Sequence, residues 1–283
     1  VSPPSRAQQR PLPAPVQRLA QLTQQTHSRI SASPSMLSMS QIPMLAGIAD
    51  ARVCSALVPG RFADYIATAG ANIGWTYFAL PTAHSPYLDL AAARYILTTK
   101  SEDDPLAGDP RLVRLFETVG AAVYQNHSAL PRFRLVHQAL PARNRKQAAQ
   151  LLSRNLFGRS HVEDSKLYSA VILEGLSPAE ALQAPTAEGS ATPEDVDLLE
   201  DSPDQQLIRT HSTQPGFLVI ADAFYPGWEA TLDGAPRPIY PANVAFRAIA
   251  IPAGEHTVSL RYRLPVAWLV SPVLGLGVLL GLC

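Results

Sequence analysis

Between Phe217 and Arg263 the chain runs FLVIADAFYPGWEATLDGAPRPIYPANVAFRAIAIPAGEHTVSLRYR. FLVIADAF is a nearly continuous apolar strand. WEATL and APRPI flank Asp233-Gly234, a pair suited to the positive φ angles of a tight hairpin turn. VAFRAIAI and HTVSLRYR alternate apolar and polar residues, as strands with one buried face do, and PAGE turns the chain between them. Upstream, VDLLED and QLIRTHS flank SPD, a further hairpin signal. The segment 196–263 therefore predicts five or six short strands in a β-sandwich-like module.

Moving towards the N-terminus, the pattern becomes mixed. Residues 1–16 are rich in Pro, Gln and Ser and read as a linker. Val16, Leu19 and Leu22 stand at helical spacing, SRISAS reads as a strand, and PGRFADYIATAG as a helix closed by Gly70. A helix from Tyr87 to Ala93 is expected to run into a strand, Arg94–Thr99. RLVRLFETVGAAVYQN carries two apolar segments broken at Gly120, and RFRLVHQAL alternates as a half-buried strand does. A helix capped by Gly158 and a strand around SAVILEG follow. Residues 176–195, rich in Ala, Pro, Glu and Ser, read as a linker or surface loop. The expected organisation is α+β: a mixed region over 17–175, the loop 176–195, the β module 196–263, and a terminal apolar segment.

That last segment, Leu264–Cys283, is a charge-free run of the length a bilayer core demands. Trp268 near its start suits an interfacial anchor. A membrane helix is expected here, and with it a chain that is part of a longer membrane protein. The N-terminus lacks the charged and apolar succession of a signal peptide. Lys+Arg 23 balances Asp+Glu 23, so no electrostatic footprint for nucleic acid is present. Two cysteines, Cys54 and Cys283, make no disulfide framework.

Sequence motifs for chemistry are sparse. The seven histidines show no metal-ligand spacing, and neither a nucleophile elbow nor a phosphate loop occurs. No catalytic residue, metal ligand or cofactor is assigned. SEDDP at 101–105 lacks the alternation of a calcium loop and reads as solvated. RNRK at 143–146 reads as the solvated start of a helix. Asn126 in NHS matches a glycosylation acceptor. The strongest binding candidates are Tyr225 and Trp228 with Phe224, whose rings match the apolar face of a sugar, with Asp233 and Arg247 available for its hydroxyls. Against this stands a structural reading. Trp228 would fill the core of the β module, Asp233 would belong to the turn, and Arg261 and Arg263 to the outer strand face.

The YPGW turn, the DG hairpin, the aromatic-Arg pair and the PAGxHxV segment together resemble the C-terminal extracytoplasmic module of YfhO-type bacterial membrane proteins. Tyr225, Pro226, Gly227, Trp228, Asp233, Gly234, Phe246, Arg247, Pro252, Ala253, Gly254, His256, Val258 and Tyr262 carry the likeness. Arg94-Tyr95, Asn126 and Ala129–Arg132 extend it upstream. It breaks around GIADARVCSALVPGRFADYI, where the family has an aromatic-rich, GY-containing loop. The resemblance implies a polytopic GT-C-like glycosyltransferase that uses polyprenyl-phosphate sugars on cell-envelope polymers. Its catalytic carboxylates would lie in loops between membrane spans not present in this sequence. This chain would be the extracytoplasmic part at the bacterial cell membrane, serving acceptor engagement or structural capping, with the lipid bilayer and an envelope glycan as partners. The alternative is a membrane-tethered, non-enzymatic β-sandwich that binds carbohydrate or protein.

Overall fold

The computed structural model describes residues 13–32, 46–51, 60–70, 85–99, 106, 108–118, 121–176 and 195–263. About 45% of it is strand and 24% helix, and the strands fall into three separate sheets, so the protein is mixed α+β. The chain divides into two compact units. One comprises residues 1–58, 66–132 and 156–168; the other comprises 59–65, 133–155 and 169–283.

The first unit is built on helix α1 (Ala14–Thr26) and a sheet formed by β1 (Arg29–Ala32), β2 (Ala93–Thr99), β3 (Leu112–Thr118) and β4 (Ala121–Asn126). β1 runs parallel to β2, and β4 pairs antiparallel with both β2 and β3, giving the order β1-β2-β4-β3. Leu19, on the apolar stripe that sequence periodicity marked, packs with Ile30, Tyr95 and Val123. A one-turn helix, Pro86–Leu90, precedes β2; Ser85 Oγ accepts from Tyr87 N and proline occupies the first turn, where its missing N–H costs nothing.

The second unit is a pair of packed sheets. Its six-stranded sheet contains β5 (Phe133–Val136), β6 (Gln138–Ala142), β7 (Ala170–Glu174), β10 (Gly216–Ile220), β13 (Tyr240–Ala242) and β14 (Phe246–Ile251), in the order β5-β10-β14-β13-β7-β6. Only His137 separates β5 from β6, although they occupy the two ends of that order. The sheet therefore rolls until its edges meet through the chain itself. The alternating run RFRLVHQAL is thus two strands rather than one: His137 Nδ1 donates to the Pro215 carbonyl (2.8 Å) where the chain changes neighbours. The expected boundary at 176–195 would group 133–174 with the mixed region; hydrogen bonding instead carries β5, β6 and β7 into the sheet of β10, β13 and β14.

The five-stranded sheet has the order β12-β11-β15-β9-β8, from β8 (Asp195–Asp201), β9 (Gln205–Ser212), β11 (Trp228–Leu232), β12 (Ala235–Arg237) and β15 (Gly254–Tyr262). Ile208, Ala230, Leu232, Val258 and Leu260 from this sheet interdigitate with Phe133, Leu218, Ile220, Ile249 and Ile251 from the other. Alternate residues of β9, β10, β11, β14 and β15 point inward, which makes the arrangement β-sandwich-like. The opposite face of the six-stranded sheet is covered too: Phe246 packs on Tyr65 of helix α2 (Gly60–Thr68), ring centroids 5.0 Å apart. The outer face of the five-stranded sheet is polar, with Arg209 2.9 Å from Asp197 across β8 and β9.

Among the described residues no helix is long and apolar enough to cross a membrane. The run 264–283, where a span is expected, lies outside the described residues, as do Cys54, Cys283 and SEDDP.

Candidate functional site

Asp233 and Gly234 adopt φ of 51° and 83°, so the DG pair forms the turn that its chemistry predicts. The Asp233 carboxylate then ties the hairpin to β15: Thr257 N donates to Oδ1 (2.8 Å) and His256 Nδ1 donates to Oδ2 (2.7 Å). Chiefly the Thr257 bond, then the His256 bond, hold this carboxyl below its ordinary pKa. Asp233 thus works within the turn.

Tyr225, Trp228 and Arg247 do meet. They line a cleft of about 500 Å3 at one end of the sandwich, together with Phe224, Pro226, Glu229, Arg237 and Ile239 among others; Asp233 is not part of the lining. That volume lies within the ~300–1,000 Å3 typical of small-ligand sites. Gly227 joins two lining residues, Pro226 and Trp228. Its φ is 103°, and a Cβ there would come within 2.6 Å of the Arg263 carbonyl and 2.8 Å of the Tyr262 ring. Only glycine permits both the backbone angle and the close approach. Gly227 O also accepts from Arg263 N (2.7 Å), so the PGW turn is stitched to the end of β15.

Trp228 and Arg247 project from the two sheets on the parity of the core residues Ala230 and Ile249 and meet inside the sandwich mouth. The Arg247 guanidinium lies 4.2 Å from the Trp228 ring centroid, a cation–π contact. Arg247 is 2% exposed, and its Nη2 donates to Asp222 Oδ2 (3.0 Å). Gln206 Nε2 donates to the same oxygen (2.7 Å). A buried guanidinium demands such a carboxylate, since an uncompensated charge there is costly. One face of Trp228 is therefore occupied by Arg247, and Tyr262 approaches it at 5.7 Å. The tryptophan forms the wall of the cleft. Tyr225, 38% exposed, offers the accessible ring.

Asp222 and Gln206 escaped the sequence reading. Asp222 lies just past the apolar strand, two residues beyond inward-facing Ile220, so strand parity alone could have placed it inside. A second pair, Arg61 with Glu174 (2.7 Å), also went unseen because 113 positions separate its members. Arg61 additionally donates to the Val244 carbonyl (3.1 Å) and lies 5.2 Å from the Phe224 ring. It supports a turn in which Asn243 and Val244 both have positive φ (45° and 73°), strained for a β-branched residue. Asn243 Oδ1 accepts from Ile172 N (2.9 Å), anchoring that turn to β7.

The first unit holds a different polar cluster. Asp89 is fully buried; Asn126 Nδ2 donates to its Oδ1 (2.7 Å) and Val162 N to its Oδ2 (3.0 Å). Asn126, also fully buried, is unavailable as a glycosylation acceptor, and its Oδ1 accepts from Ser128 N (3.0 Å). Ser128 Oγ lies 3.0 Å from His161 Nδ1, whose Nε2 lies 3.2 Å from Asp109 Oδ2. These are the residue types of a hydrolytic triad, but with the ring reversed relative to the usual serine and aspartate sides. Ser128 is 2% exposed, so a substrate has no access to the hydroxyl. The cluster closes the fold around the segment 126–132. Among the described residues, no group of histidine, cysteine and acidic side chains could hold a metal ion.

Comparison with family models, curated proteins and solved structures gives no match.

Proposed function

We propose that this chain is the extracytoplasmic part of a membrane-anchored, sugar-transferring protein of the YfhO type, and that its β-sandwich engages an acceptor glycan of the cell envelope. The observation carrying this reading is the cleft beside Tyr225 and Trp228, where aromatic rings, proline edges and guanidinium groups converge in a volume suited to a short saccharide. Aromatic rings supply the flat apolar contact that pyranose faces favour, and the arginines supply donors for oxygen atoms. The apolar run from Leu264, beginning two positions after the end of β15 at Tyr262, supports membrane anchoring.

In this reading the chain contributes recognition or capping, and transfer from a polyprenyl-phosphate sugar takes place elsewhere. A non-enzymatic, membrane-tethered lectin-like role uses the same cleft and differs only in what else the protein carries. Thermal melting of the full chain in detergent, with and without envelope glycans, tests the shared claim. A ligand at 100 times its Kd stabilises the fold by about 2.7 kcal/mol, readily seen as a raised Tm. The shift is expected in the wild type and lost in Tyr225→Ala. Glycan-independent melting across the panel would leave the sandwich a scaffold only.

A further inference from the structure

We propose that the cleft selects saccharides bearing an oxyanion, a uronate or a sugar phosphate, and that Arg237 is the residue that reads the charge. This deepens the glycan reading and rests on it.

The charge balance of the lining carries the inference. Arg237 and Arg247 both line the cleft, and Glu229 is the only carboxylate among the described residues that line it. Glu229 is already engaged, 3.0 Å from Arg263 Nε on the outward side of β11. Arg247 is buried and committed to Asp222 and the Trp228 ring. Arg237 differs from both. It is exposed, and Asp233, the carboxylate that feels its charge, is itself held by Thr257 N and His256 Nδ1, which leaves the guanidinium open to a ligand. Its register partner is Ala230, a core-facing residue, and direct cross-strand partners project from the same face of a sheet. Arg237 therefore projects on the side of the sheet from which Trp228 also projects.

The backbone around it is stiff. Pro236 and Pro238 flank Arg237 and line the cleft themselves. Fixed φ angles on both sides reduce the conformational freedom lost when a ligand is bound. Pro236 also denies strand β12, an edge strand, an N–H group that would recruit another β-strand, and Pro238 removes the one just beyond the strand. An edge unsuited to strand addition but presenting a guanidinium beside an exposed tyrosine fits an anionic ring ligand. Arginine is the suited cation because its planar fork matches both carboxylate and phosphate oxygens.

The test titrates the full chain in detergent with trigalacturonate, galactotriose and galactose 6-phosphate, in wild type, Arg237→Gln and Arg237→Lys. Trigalacturonate or galactose 6-phosphate should bind wild type at least tenfold more tightly than galactotriose, weakening with added salt. The two anionic arms separate a uronate ligand from a phosphate one. Arg237→Gln should abolish the preference with an unchanged Tm, and Arg237→Lys should restore part of it. Equal affinity for galactotriose and both anions, or a preference that persists in Arg237→Gln, would overturn the charge assignment while leaving the glycan reading in place. Absence of binding by all three saccharides would overturn both.

Discussion

Two polar clusters, one in each unit, contrast in what they can do. The first, Asp89–Asn126 with Ser128–His161–Asp109, holds residue types capable of acid–base and nucleophilic chemistry, yet its serine is buried and its carboxylates are consumed by local donors. The second, Arg247–Asp222–Gln206, is equally buried at its root but ends against a tryptophan wall that opens into a cleft. Reactive residue types in hydrogen-bonding range do not make a site. Access does, and here access belongs to the cluster with the less reactive chemistry.

The largest expected effect comes from removing the root of the open cluster. Asp222→Ala leaves a buried guanidinium without its carboxylate, and such one-sided changes cost roughly 3–5 kcal/mol. Urea unfolding should show the loss. A negligible change in midpoint would mean that Arg247 is not held by Asp222 and that the cleft wall is built differently.

In the closed cluster the expected effect is smaller. Ser128→Ala removes the hydroxyl beside a buried imidazole nitrogen and should cost about 1–2 kcal/mol, with no effect on saccharide affinity. The wild type should show no esterase turnover that depends on Ser128. Turnover of a nitrophenyl ester abolished by Ser128→Ala would reverse the contrast between the two clusters.

The smallest effect is at the hairpin turn. Asp233 has its folded pKa depressed, so its contribution to stability is present in full above the unfolded value near 3.8 and is lost as pH falls through the folded one. The urea midpoint of the wild type should therefore drop more between pH 5 and pH 2.5 than that of Asp233→Asn. Parallel curves for the two proteins would show that the turn carboxylate contributes nothing.

The last quarter of the fold was legible because its turns are written in residue chemistry. Asp233-Gly234 requires positive φ, and PAGE and PGW break strands where strands do break. Helix α1 declared itself through Val16, Leu19 and Leu22. The sheet membership of β5, β6 and β7 was not legible, since nothing local in RFRLVHQAL or SAVILEG says which distant strand will accept their hydrogen bonds. The binding candidates divided along the same line. Asp233 is explained by its neighbours in sequence and turn. Trp228 and Arg247 acquire their meaning only from each other, across two sheets; Asp222 needed strand parity alone, whereas Gln206 and Arg237 emerge only once parity is combined with register.

The most direct measurement follows the Trp228 indole N–H in a 1H–15N spectrum of the full chain in detergent, identified by its loss in Trp228→Phe, while trigalacturonate is added. A saturable shift of this resonance is expected, with binding at least tenfold weaker in Tyr225→Ala, a difference of about 1.4 kcal/mol. An indole signal that stays fixed at saturating saccharide, or one that shifts identically in Tyr225→Ala, would contradict the assignment of the cleft as the place where this protein meets its ligand.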